Sequence, residues 1–200
     1  MKAPENPIRY FFPGPAYVRP EILAQMARPQ MPHRGKEFCG IYLDLRRQLK
    51  DLFSQQGTWL VVSASSTYMM EACFHNTTPT RVLALVNGAF AERWAKIARF
   101  FCEDVVEMRV PLGEVLAPEA VVKMLHEKKF SHILITHSET STGALNPLSE
   151  LCAAIRQKSD ALICVDAVSS LGGMAIDFTN IDFLFAGVQK AMALPPGITV

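Results

Sequence analysis

The chain has 200 residues and no uninterrupted apolar run near the roughly 20 residues that a membrane-spanning helix needs, so no such span is expected. Its opening stretch, MKAPENPIRYFFPGP, holds no apolar core of the signal-peptide kind. Neither sign of charge is in excess. Twenty Lys and Arg against 19 Asp and Glu give a formal net charge of +1, which leaves no global electrostatic case for nucleic acid or an anionic membrane. The five cysteines (Cys39, Cys73, Cys102, Cys152 and Cys164) are odd in number and include no CxxC pair, so neither a disulfide framework nor a zinc site is indicated. Cys73, Cys152 and Cys164 fall in apolar patterns and are read as core thiols in a reducing cytoplasm. A GxGxxG fingerprint is absent, and Gly172-Gly173 reads as a turn. Ser169 and Ser170 do not form a nucleophile elbow. His137 and Glu139 have no third ligand at a suitable spacing, so no metal is expected.

What is present is half hydrophobic and one-fifth charged, the composition of a globular domain with a sizeable core. The opening is rich in proline (Pro4, Pro7, Pro13, Pro15, Pro20, Pro29, Pro32) and reads as an extended arm with one short helix over Pro20–Met26. Phe38, Ile41, Tyr42, Leu45, Leu49, Leu52 and Phe53 stand at helical spacing and predict a helix from Phe38 to Ser54. Beyond Gly57 strands and helices alternate. Strands are predicted at Trp59–Ser63, Arg81–Val86, Val105–Val110, His132–Thr136, Ala161–Asp166 and Phe183–Ala186. Helices are predicted at Thr67–Asn76, Ala89–Phe101, Pro118–Lys128 and Leu148–Lys158. Such alternation implies an α/β domain with a mostly parallel sheet and helices on both faces. In open sheets of this kind ligands collect at the carboxyl ends of the strands, here Ser63, Thr136, Asp166 and Ala186.

Chemistry-bearing residues follow several of those ends. Asp166 closes one apolar run, and Lys190 follows the next. An acid and a lysine so placed can hold pyridoxal phosphate, the lysine through its ε-amine and the acid through the protonated ring nitrogen. Alone, Lys190 reads more readily as a surface lysine, and Asp166 can be a turn cap. Ala64-Ser65-Ser66-Thr67 precedes a helix and offers hydroxyls at its N-terminus, where phosphates bind; a plain helix cap uses the same residues. Phe90 presents a flat π-face suited to a pyridine ring, or is a core aromatic of an amphipathic helix.

VDAVSSLGG, GVQKAMALPPG and HSETSTGALNPL together resemble the class V aminotransferases, a branch of the fold-type I pyridoxal-phosphate enzymes. The similarity is greatest to the alanine–glyoxylate, serine–glyoxylate and serine–pyruvate aminotransferase group, and it runs from Pro13-Gly14-Pro15 to Gly197. The resemblance implies an N-terminal arm and short helix over residues 1–37 and a cofactor-binding large domain over 38–200, with the C-terminal small domain absent. It implies a homodimer acting on small amino and keto acids, with pyridoxal 5'-phosphate as cofactor. It places Lys190 and Asp166 in catalysis. Val168 would lie under the ring and Phe90 over it. Ser65, Ser66, Thr67 and Gln189 would hold the phosphate, and Thr140 would stand near the phenolic oxygen. Gly14 would let backbone approach the substrate, Arg34 would face a partner subunit, and His137 and Glu139 would brace the loop. Ala64 and Ser66 depart from the family's Gly-Ser-Gly-Thr turn, which implies strain if Ser66 needs a positive φ. Val188 stands where Ser is usual, and Ala91 where Gly is usual. The implied activity moves an amino group from alanine or serine to glyoxylate or pyruvate. Two alternatives remain open: a class V lyase such as a cysteine desulfurase, which usually carries His where Gln189 stands, and a truncated, non-catalytic remnant that binds the cofactor.

Overall fold

The computed structural model describes residues 10–54 and 57–200; Pro4 and Pro7 of the expected arm lie outside them. In chain order the elements are α1 (Pro20–Gln25), α2 (Lys36–Leu52), α3 (Ser66–His75), β1 (Val82–Val86), α4 (Ala89–Ala98), β2 (Val105–Arg109), α5 (Pro118–Glu127), β3 (His132–Thr136), β4 (Ser138–Glu139), β5 (Ala144–Leu145), α6 (Leu148–Arg156), β6 (Leu162–Asp166) and β7 (Phe183–Phe185). Five strands form one sheet in the order β2-β1-β3-β6-β7, and every pairing in it is parallel.

Parallel strands covered on both faces need apolar side chains on both faces. β1 (VLALV) and β3 (HILIT) meet this need, being buried at every position. Alternate residues then divide between two cores. Leu83, Leu85, Ile133, Ile135, Ile163 and Val165 pack with α5 and α6, whereas Val82, Ala84, Val86, Leu134 and Cys164 pack with α3 and α4. The helices answer with spacings of three and four: Ala91, Trp94, Ala95 and Ala98 are buried on α4, and Leu148, Leu151, Cys152 and Ile155 on α6. β2 is an edge strand. Its Glu107 pairs with Arg99 and Arg109, and such charges discourage edge-to-edge association.

The chain steps from β1 outward to β2 and then returns to place β3 on the other side of β1. At such a reversal the loops leaving neighbouring strands diverge and open a crevice at their carboxyl ends. The loops after β1, β3, β6 and β7 all emerge at that edge.

The structure corrects one sequence expectation and adds two features. Trp59–Ser63 does not form a strand; among the described residues its β-pairing is one antiparallel bridge, Val62 to Thr199, so no ladder extends along it. The Ser138–Glu139 and Ala144–Leu145 pair, a short antiparallel ribbon, was not anticipated. α2 forms as expected, but Leu49 is its single buried residue. Ile41, Leu45 and Leu52 are 51%, 39% and 72% exposed, because the described chain covers that face only in part, around Tyr42, Leu49 and Phe53. Among the described residues no helix is long and apolar enough to cross a membrane.

Candidate active site

A cleft of about 240 Å³ opens at the carboxyl edge of the sheet. Ser65, Ser66 and Thr67 line it from the start of α3, Phe90 from α4, and Thr140 from the β4–β5 loop. Asp166 and Val168 line it from the end of β6, and Gln189 and Lys190 from the loop after β7. Every cofactor-site residue named from the sequence therefore meets in one cavity. Gly14 and Pro15 of the N-terminal segment close one side.

Asp166 is 4% exposed because β6 is flanked by β3 on one side and β7 on the other. Its Oδ1 accepts the Val168 N–H at 2.9 Å. Burial pushes the carboxyl up to about 7; the Val168 N–H opposes this, Glu139 reinforces it, and Lys190 and Arg93 oppose it. A cation placed beside this buried carboxyl would draw it back to its charged form. Lys190 is its electrostatic complement: burial lowers the basicity of the amine, and Asp166 pulls it back up. Its Nζ donates to the carbonyl oxygen of Pro13 at 2.7 Å.

The proposed phosphate end lies at the N-terminus of α3. The helix begins at Ser66, one residue earlier than expected, and Ser65 caps it with φ of −78° and no side-chain hydrogen bond. Ser66 is not among the residues with positive φ, so replacing the family's glycine causes no strain there. Its Oγ is buried without a partner. Gly187 explains how the neighbouring groups approach: a Cβ on it would stand 2.4 Å from both Ser66 Oγ and Gln189 Oε1. A helix N-terminus with an unused hydroxyl and an amide beside it fits an anion. Thr136 Oγ1, also in the cleft wall, is likewise buried without a partner. Buried polar atoms are normally satisfied, so two orphans in one cleft fit a polar, phosphate-bearing ligand such as pyridoxal phosphate.

The Phe90 wall is held from a distance. Glu139 is fully buried, and its Oε2 accepts the N–H groups of Phe90 and Ala91, each at 3.0 Å. Its Oε1 accepts Ser141 N–H at 3.0 Å and Ser141 Oγ–H at 2.8 Å, while Ser141 Oγ accepts Ala89 N–H at 3.0 Å. Gly88 makes room for this cap, since a Cβ there would fall 2.3 Å from Glu139 Cγ. Thr140 Oγ1 lies 2.5 Å from Ser169 Oγ, which ties the β4–β5 loop to the segment after Asp166. His137 Nδ1 lies 3.0 Å from Ser170 Oγ, and burial lowers the basicity of its ring. Both residues act as braces for the loop. Sequence reasoning missed Arg93, whose guanidinium sits over the Phe90 ring at 5.1 Å and lines the cleft. Its position three residues after Phe90 on a helix was the available signal.

A parallel sheet with this cleft at its carboxyl edge is the large domain of the fold-type I pyridoxal-phosphate aminotransferases. The profile of the family described as Aminotransferase class-V matches residues 20–200, and the chain belongs to that family. An uncharacterized aminotransferase of Methanocaldococcus jannaschii is 36% identical over 93% of this chain and 49% of its own length. Alanine–glyoxylate aminotransferase of Rattus norvegicus is 34% identical over 94% of this chain and 46% of its own. Among solved structures, an aspartate aminotransferase of subgroup IV from Thermus thermophilus superposes with a TM-score of 0.84 at 35% identity, over 94% of this chain and 54% of that one. The chain thus spans about half the length of the relatives it matches.

Proposed function

We propose that the chain is the cofactor-binding portion of a pyridoxal-phosphate-dependent aminotransferase that moves an amino group from alanine or serine to glyoxylate or pyruvate. The observation that carries this reading is the buried Asp166 facing the same cleft as Lys190, beside an anion cradle whose Ser66 hydroxyl has no protein partner. Bound there, the cofactor supplies an electron sink for the substrate α-carbon. Ser65, Ser66, Thr67 and Gln189 hold its phosphate. Asp166 would keep the proton on its ring nitrogen, Phe90 and Val168 would cover the ring, and Thr140 would contact the phenolic oxygen. Lys190 would be the residue that binds the cofactor's aldehyde group, and once released by the substrate amine its free Nζ would carry the proton taken from the substrate α-carbon. Alanine as donor and glyoxylate as acceptor are supported by similarity to the rat enzyme; serine and pyruvate rest on the resemblance of the sequence motifs alone. A homodimer is supported by the bare apolar face of α2. A cytoplasmic setting accords with five free cysteines, four of them buried.

The test compares the wild type with Lys190→Ala after addition of pyridoxal phosphate. The wild type gains a visible absorption band that alanine bleaches and that borohydride converts to a stable adduct on the peptide containing Lys190. The variant gains neither. A reducible adduct on another lysine, or a wild type that stays colourless, rejects the assignment.

A further inference from the structure

The segment around Gly14 adds nothing to the sheet, yet it lies directly on Lys190. The Pro13 carbonyl oxygen accepts Lys190 Nζ at 2.7 Å, and Ala16 N–H donates to the carbonyl oxygen of Gln189 at 2.7 Å. These two bonds pin the segment on either side of the lysine. Between them stands Gly14 at φ +127°, where a Cβ would come within 2.7 Å of Lys190 Cδ and 2.9 Å of Nζ. Both the backbone conformation and the lysine stem therefore exclude a side chain.

We infer that residues Pro13–Ala16 form a positioning strap for Lys190: the Pro13 carbonyl seats the ε-amine whenever that amine carries no covalent partner, and Gly14 leaves the lysine room to reach it. The inference rests on the reading of Lys190 as the cofactor lysine, and it gives the N-terminal segment a part in that site. A carbonyl oxygen accepts a stronger hydrogen bond from an ammonium than from a neutral amine, so the seat favours the charged form. Asp166 at the end of β6 favours it too, and burial opposes it. Arg93 of α4 shares the cleft, and Glu139 of β4 acts on Asp166. Against the burial that lowers the amine's basicity, the strap favours the protonated lysine. Nζ must leave Pro13 and lose a proton before it can attack a carbonyl carbon.

The experiment follows modification of Lys190 by trinitrobenzenesulfonate in the cofactor-free protein as a function of pH, with peptide mapping to locate the label. Gly14→Ala evicts the lysine from its seat. Ala16→Pro removes the pinning N–H without adding bulk against the lysine, and so covers the case in which the first variant distorts the backbone. In both, the midpoint of the pH–rate profile falls by about one unit, so Lys190 reacts about tenfold faster below the wild-type midpoint. A segment that merely shields the lysine would raise the plateau rate and leave the midpoint in place. That result, or unchanged profiles in both variants, overturns the proposal. A protein that takes up no pyridoxal phosphate on Lys190 would defeat the proposed function without altering this profile, so the two readings fail separately.

Discussion

Replacing Asp166 by Asn separates what the cofactor-free fold favours from what the proposed chemistry requires. Burial drives the Asp166 carboxyl from its ordinary value of 3.8 up to about 7. The folded protein therefore keeps a proton on this group across a window, about pH 4 to about pH 7, in which the unfolded chain has lost it. By linkage the folded state is favoured most at the acid end of that window, loses stability as pH rises through it, and levels off above about 7. A difference of about three units, at about 1.4 kcal/mol each, sets the loss at no more than about 4 kcal/mol. Asparagine has the same shape, can still accept the Val168 N–H through Oδ1, and carries no charge to desolvate. The cofactor-free variant should match the wild type near pH 4 and exceed it near pH 8 by about 1 to 4 kcal/mol. Urea unfolding of both proteins across this range measures the difference. His132 and His137, whose basicity burial lowers, tilt the profile the opposite way in both proteins and cancel in the comparison. Under the proposed function, added pyridoxal phosphate should reverse the ranking, since only the carboxylate would hold the ring-nitrogen proton. A difference that does not change with pH, or a variant less stable than the wild type near pH 8, refutes the reasoning.

Ser66→Ala deletes a buried hydroxyl that has no partner, so the cofactor-free protein should keep or slightly raise its Tm while its Kd for pyridoxal phosphate rises about tenfold. Fluorescence titration with the cofactor reads this directly, and an unchanged Kd removes Ser66 from the phosphate site. Glu139→Gln turns one of two accepting oxygens into a donor that faces N–H groups, and should cost about 2 to 4 kcal/mol in urea unfolding. A loss below about 0.5 kcal/mol would mean that the carboxylate does not hold the start of α4.

Much of the sheet was legible because β1, β3 and β6 are short apolar runs bounded by polar residues, the pattern expected of a strand covered on both faces. Trp59–Ser63 has a similar composition, but a strand also needs a partner along its length, and the Val62 bridge to Thr199 is all it finds. Periodicity revealed α2 and its apolar stripe. It did not reveal that the stripe stays exposed, because spacing identifies the face that favours burial and is silent about what covers it. At the site, Asp166, Lys190, Gln189 and the serines were readable because each stands at an element end. The buried cap that Glu139 places on α4 was not, since its donors lie 48 and 49 residues upstream and no local pattern links them. Arg93 was hidden by an ordinary surface-helix context.

That distant cap bears on how the protein is made. Phe90 and Ala91 leave the ribosome 49 and 48 residues ahead of the carboxylate that accepts their N–H groups. At typical elongation rates of about 5 to 20 residues per second, α4 waits several seconds with only water at its N-terminus. Its completion coincides with the arrival of the loop that also delivers Thr140. The aromatic wall and the hydroxyl wall of the cleft therefore wait on the same segment of chain.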